Sequence, residues 1–413
     1  MSDDSGVVID SGDTGDTGDT GDSGDSGDGE DADGDGYGAG VDCNDQDSEV
    51  WLADSPIGTM DYDTFCTNYC GRTFVGDLDL SSASQKQVDQ ITCLTEVTGN
   101  LSVLSNASLT SLELGALTTV GQTAEVSSNA DLSRLNFGAL ANTGGNLYLT
   151  ANTALVSMDL GALTGTGADL WISGNDLLGS ADLNGLTTTG RDLLISANES
   201  LTSVSLSALT STERDIYVLS NPGLASLDLS ALGSAKGALY IRNHAALTHV
   251  DLSALTSSSG DAIWLDGNPS LTHLDLGALA STAGDLWVSN SASLASVDLG
   301  DLTSIGGALE ISHCAALGSL DLHGLTTTGD SLLIYNNGSL NTVDLSGLIR
   351  AAGYLNIELN LSLAALDLSA LTATAGDLQV AQTALCSDDV AALEDQVAVA
   401  GSFTNLENTG SCP

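Results

Sequence analysis

Leu147-Tyr-Leu-Thr-Ala-Asn-Thr-Ala-Leu-Val-Ser-Met-Asp-Leu-Gly-Ala-Leu-Thr-Gly-Thr-Gly-Ala-Asp169 is followed at once by Leu170-Trp-Ile-Ser-Gly-Asn175, the same pattern restarting 23 residues on. From Leu101 onward a unit reading approximately L-x-I-x-x-N-x-x-L-x-S-L-D-L-x-A-L-T-x-x-G-x-D recurs about a dozen times. A period of that length is the mark of a solenoid, in which a coil too small to bury its own apolar face stacks on the next. Each unit holds two short alternating patterns, such as Leu170-Trp-Ile172 and Ala181-Asp-Leu183, whose outer residues point inward and whose middle residue points out. Two strands per coil are expected. Between them stands a recurrent Asn (Asn106, Asn129, Asn152, Asn175, Asn198, Asn221, Asn268, Asn337, Asn360), replaced by His244, Ser291 and Cys314. An inward amide ladder that satisfies the backbone of a buried corner explains this column. The ladder also makes the sequons at Asn106, Asn198, Asn337 and Asn360 incidental and Cys314 a small apolar substitute.

Outside the repeats the composition changes. The chain carries 55 acidic and 8 basic residues, a formal charge of -47. About a third of the acids precede Asp63 with no Lys or Arg among them, a self-repelling stretch. So few cations exclude nucleic acid as a partner, because phosphate binding needs clustered Lys and Arg. No apolar run reaches membrane-spanning length, and the first residues lack the pattern of an export signal. Cys43, Cys66, Cys70, Cys93, Cys386 and Cys412 lie outside the repeats, the distribution of disulfides at end pieces, and imply an oxidising, extracellular or cell-surface setting.

The expected organisation is therefore residues 1–30, a disordered Gly/Asp/Thr-rich spacer; 31–63, a small acidic module; 64–100, an amino-terminal cap; 101–383, the solenoid; and 384–413, a helical cap. In the acidic module Asp31, Asp33, Asp35, Tyr37 (through its carbonyl) and Asp42 fall at loop positions one, three, five, seven and twelve, with Gly36 at the turn, a spacing of oxygen ligands suited to Ca2+. Asn44, Asp45 and Asp47 add further ligands. This stretch resembles the MopE-type metal-binding motif of bacterial surface proteins, which implies calcium as the cofactor; it departs at Trp51-Leu-Ala53, where that motif carries Pro-Gly-Ala.

From Cys66 to Cys412 the repeats, with Cys70-Gly-Arg-Thr-Phe-Val-Gly-Asp-Leu-Asp-Leu80 and Leu385-Cys-Ser-Asp-Asp-Val-Ala-Ala-Leu393, resemble the receptor L domain, a leucine-rich-repeat-like solenoid. The resemblance implies an all-β, right-handed parallel β-helix of about 13 coils with disulfide-stapled caps: Cys386 with Cys412, Cys70 with Cys93 and Cys43 with Cys66, the connectivity left open. It also implies a carboxy-terminal helix, for which Ser387 can serve as cap and Val390, Leu393 and Val397 as the apolar face.

Two outward columns are candidate sites. On the first strand the middle position reads Tyr148, Trp171, Leu194, Tyr217, Tyr240, Trp264 and Trp287, a stripe of about 30 Å at a strand spacing of about 4.8 Å, suited to a glycan, a protein or a second copy. Self-stacking in a β-structure explains the same residues equally well. On the second strand an Asp column (Asp159, Asp182, Asp228, Asp251, Asp275, Asp298, Asp321, Asp344, Asp367) is read as solvated or turn-capping rather than as a calcium array. His249 and His273 recur in adjacent coils but make only two metal ligands. Without a zinc-protease helix motif, nucleophile elbow or phosphate loop, the expected function is non-catalytic binding or adhesion at the cell surface. A self-associating envelope component is the alternative, and a polysaccharide-degrading enzyme a more distant one.

Overall fold

The computed structural model describes residues 73–411. They wind into a right-handed parallel β-solenoid of three faces, not two strands per coil; the short face is broken once, between Ser211–Thr212 and Ser234–Ala235, into sheets of 7 and 8 strands. The long face is one uninterrupted sheet of 15 strands, from Leu78–Asp79 through Leu147–Thr150 and Leu170–Ser173 to Phe403–Leu406. A second face carries the Ser-x-Asp strands, such as Ser157–Asp159 and Ser226–Asp228. The third, short face is built from two-residue strands such as Gly165–Thr166 and Thr188–Thr189. Its inward side chain is often Thr, which conceals the strand from a hydrophobicity reading. Thr166 resolves the polarity by donating to the carbonyl of Ala168 at 2.8 Å.

Pairing is in register at 23 residues, Leu147 with Leu170 and Ile172 with Ile195. One extra residue lies between Ser258 and Ile263, where the offset becomes 24, and is absorbed in the five-residue strand Ala262–Asp266. The interior is a column of fully buried Leu, Ile and Val, as at Leu147, Leu149, Leu155 and Leu163. Each such side chain contributes about 1.5–3 kcal/mol of transfer energy. Coils approach so closely at the Thr-x-x-Gly turn that a Cβ on Gly144 would lie 1.9 Å from the carbonyl oxygen of Gly121.

The corner before each ladder residue is left-handed: Ser105, Ser128, Ala151, Ala197 and Ser220 have φ between 51° and 59°. Few non-glycine residues adopt this conformation, and the hydrogen bonds that follow it offset the strain. Asn129 N–H donates to Asn152 Oδ1 at 3.1 Å, while Asn129 Nδ2 donates to the carbonyl of Val103 at 2.9 Å. The inward amide ladder is thus present, with Asn152, Asn175, Asn198 and Asn221 wholly buried.

The expectation of disulfide-stapled caps is corrected. No disulfide joins two described residues: Cys314 is a free buried thiol, Cys93 and Cys386 stand at opposite ends of the solenoid, and Cys43, Cys66, Cys70 and Cys412 lie outside the described residues. Cys93 and Cys386 are not free thiols. What closes the ends among the described residues is burial and hydrogen bonding over exposed strand edges. At the amino end the helix Gln85–Asp89, held by a Ser84/Gln87 capping box, uses Gln85 to accept from Thr110 N–H and donate to Ser111 O, both at 2.9 Å. At the carboxy end the helix Ser387–Gln396 buries Val390, packs Leu393 on the core and donates from Gln396 Nε2 to Leu368 O at 2.8 Å. Its N-cap is Cys386 rather than Ser387, with no side-chain cap. Among the described residues no helix is long and apolar enough to cross a membrane.

Candidate binding face

Strand alternation puts every second residue of the long face outward, and unbroken pairing turns those residues into columns. Tyr148 pairs with Trp171, Trp171 with Leu194, Leu194 with Tyr217, Tyr217 with Tyr240, Tyr240 with Trp264 and Trp264 with Trp287. The rings pack on one another: Tyr217 and Tyr240 are stacked with centroids 5.1 Å apart, and Trp264 meets Trp287 edge-on at 4.4 Å. All are half-buried. The indole N–H groups of Trp171, Trp264 and Trp287 are covered and find no acceptor among the described residues, so these rings act as apolar surface and not as donors.

Polar chemistry comes from the flanks. Asp169, Asp192, Asp215 and Asp285 stand two residues before Trp171, Leu194, Tyr217 and Trp287, on the same side of the strand. The first three form a second ladder, which Ala238 and Ala262 interrupt before Asp285. Asp169 Oδ1 accepts the N–H of Asp192 at 3.1 Å, Asp192 Oδ1 that of Asp215 at 3.1 Å, and Asp215 Oδ1 that of Ala238 at 2.7 Å. The second carboxylate oxygen faces the stripe, accepting from Tyr148 (to Asp169, 3.2 Å) and Tyr217 (to Asp215, 2.7 Å). Burial and then these carboxylates push the Tyr148 and Tyr217 hydroxyls above the ordinary range, so both remain donors. On the opposite flank Arg242 lies 4.0 Å from the Trp264 ring centroid and 3.0 Å from Asp266, a cation held between a ring face and a carboxylate.

The flanking Asp column was not singled out from the sequence. Its signal was the last letter of the repeat, an Asp two places before the aromatic position. Four of the chain's eight bases, Arg191, Arg214, Lys236 and Arg242, also fall in the coils that bear the stripe, and each pairs with an acid one coil away.

No family model, no curated protein and no solved structure matches this chain. The likeness to the receptor L domain is accordingly one of β-solenoid architecture, and family membership does not follow from it.

The other sequence candidates separate cleanly. Asp31, Asp33, Asp35, Tyr37, Asp42, Asn44, Asp45 and Asp47 lie outside the described residues. The Asp column of the second face caps turns: Asp159 Oδ1 accepts the N–H of Gly161 at 3.0 Å, and Asp251, Asp321 and Asp367 repeat the arrangement. Hydrogen bonds from Ser253, the backbone of His323 and Ser369 hold those last three carboxyls below the usual range, opposite to what unrelieved like-charge stacking would do. His273 Nδ1 is engaged with Ser296 Oγ at 2.7 Å. No group of three or more His, Cys, Asp or Glu suited to a metal occurs among the described residues. Cys314 is wholly buried, and burial pushes its thiol up to about 11, far from a reactive thiolate.

Proposed function

We propose that this chain is a non-catalytic binding protein of the cell surface or extracellular space, in which the solenoid is a rigid scaffold and the long face takes a ligand along the aromatic stripe. The observation that carries the reading is coincidence within the same coils: six large rings in one column, interrupted once at Leu194, stand where four of the chain's eight bases each pair with a neighbouring acid. Self-packing accounts for the rings but not for the placement of the bases. In a chain of charge -47, a partner approaching this face meets Asp169, Asp192 and Asp266 already paired with Arg191, Arg214 and Arg242. For residues 31–47 the proposal retains calcium as a cofactor, on the spacing of their oxygen ligands.

Self-association through the stripe is the weaker reading. A band about 30 Å long and one four-residue strand, about 13 Å, wide offers about 400 Å² per partner, where stable interfaces use about 800 Å². Simultaneous replacement of Trp171, Trp264 and Trp287 by Ala tests the reading on arrays of glycans and of surface proteins. Loss of binding with an unchanged far-ultraviolet spectrum is expected; wild-type binding by the folded triple variant would remove the stripe as a site.

A further inference from the structure

We propose that the occupant of the stripe is an uncharged, linear, β-linked polysaccharide lying parallel to the solenoid axis with close to one sugar per coil. The inference rests on the binding role given to the long face and names the chemistry that face selects.

Geometry supplies the direction. Six rings and Leu194 occupy seven consecutive coils in one column, whereas across the strand the flanking positions are mostly Asp, Asn, Ser, Thr and Arg, with Leu219, Ala238 and Ala262 the apolar exceptions. An apolar ligand surface is therefore matched only along the axis. The step is one coil, about 4.8 Å, close to the advance of an extended chain of β-linked pyranoses. An extended peptide advances about 3.3 Å per residue and falls out of step. It also gains no main-chain pairing here, because the sheet runs uninterrupted through these coils.

The flanks supply the class. Their acceptors already bind hydroxyl groups at hydrogen-bond distance: Asp215 takes the Tyr217 hydroxyl at 2.7 Å, Asp266 the Ser289 hydroxyl at 2.8 Å and Glu310 the Ser312 hydroxyl at 2.6 Å. Sugar hydroxyls can exchange into such positions without a change of charge. A polyanion meets more acids than bases, since Arg191, Arg214 and Arg242 are each committed to a carboxylate while Asp215 and Asp285 have no ion pair among the described residues.

Titration of the full chain with oligomers of β-linked glucose and N-acetylglucosamine, from dimers to decamers, is followed by isothermal calorimetry, which reads affinity against length in the wild type and in variants that lack the tryptophans. The expected result is affinity that rises with length and levels at about six or seven sugars, weakened at least about tenfold by the triple Trp→Ala variant and unmoved by Asp228→Asn on the second face. Preferential binding of a polyuronate or of poly-lysine, a plateau at two or three sugars, or no binding of any neutral oligomer would overturn the inference. If another ligand binds and the triple variant loses it, the stripe remains a site and only the ligand class is wrong. If the triple variant keeps whatever the wild type binds, the binding face itself falls.

Discussion

The imidazole of His244 completes the corner ladder where every preceding coil from Asn106 uses an amide: its Nδ1 accepts the backbone N–H of Asn221 at 3.2 Å, and its Nε2 lies 3.0 Å from the carbonyl oxygen of Val218. A carbonyl only accepts, so Nε2 carries the proton and Nδ1 is free to accept, which fixes one neutral tautomer. Asn268 Oδ1 in turn accepts the N–H of His244 at 3.2 Å. The ladder therefore needs an acceptor and a donor at each level, rather than asparagine as such.

Acid should weaken the protein through this residue. Burial holds the His244 imidazole below its ordinary value of about 6.5. Below that pH the unfolded chain takes up a proton that the folded one resists. The contribution is therefore intact above about pH 6.5 and is lost as pH falls toward the depressed folded value. His244→Asn keeps the ladder and removes the titration. Urea unfolding of both proteins should show the wild type losing up to about 1.4 kcal/mol per pH unit relative to the variant below pH 6.5.

Asn175→Ala should be among the costliest single changes. It strands the carbonyl of Leu149, which Asn175 Nδ2 meets at 2.8 Å, and the N–H of Asn152, which its Oδ1 accepts at 3.1 Å. Two buried groups left without partners cost roughly 2–4 kcal/mol. Conversely, the double variant Ser291→Asn, Cys314→Asn restores amides where the column lapses. It should raise the urea midpoint by the equivalent of about 1 kcal/mol.

The flanking ladder separates acceptor from charge. Asp215→Asn keeps an oxygen for the N–H of Ala238 and should alter stability little. Asp215→Ala leaves that N–H and the Tyr217 hydroxyl unpaired and should cost about 1–3 kcal/mol. Thermal midpoints of the pair decide whether this Asp is held by geometry or by electrostatics.

Cys314 should report global unfolding. Its thiol, pushed up to about 11 and wholly buried, should resist a disulfide reagent at pH 8 in the folded protein and react at the unfolding rate in denaturant. Rapid labelling in native buffer would mean that the coils around it open independently.

Much of this architecture is legible in the chain because its signals are local and repeated. Leu147-Tyr-Leu149 and Leu170-Trp-Ile172 announce both the strand and its outward ring, and the Asn column announces the corner. What escapes has a common cause, namely groups whose role is set only by the next coil. The left-handed residue at the corner is often Ser or Ala, as at Ser128 and Ala151, types with no preference for that conformation, and only Gly174, Gly267 and the asparagines Asn243, Asn290 and Asn336 hint at it. The short strand Gly165–Thr166 shows one inward polar side chain and no alternation to detect. Arg191 and Asp169 are 22 positions apart, so their pairing needs the register as well as the repeat. The edge-covering hydrogen bonds of Gln85 and Gln396 likewise depend on where two helices come to rest.

Every column described above depends on coils stacking without slip across the break in the short face and the extra residue after Ser258. Nitroxide labels at Thr188→Cys and Thr327→Cys, both exposed, outward and six coil steps apart in the same column, measure this directly by pulsed electron resonance. A single narrow distance near 30 Å is predicted, six times the coil spacing of about 4.8 Å. A broad distribution, or a distance far from that value, would contradict the stacked register on which the aromatic stripe and its flanking ladder stand.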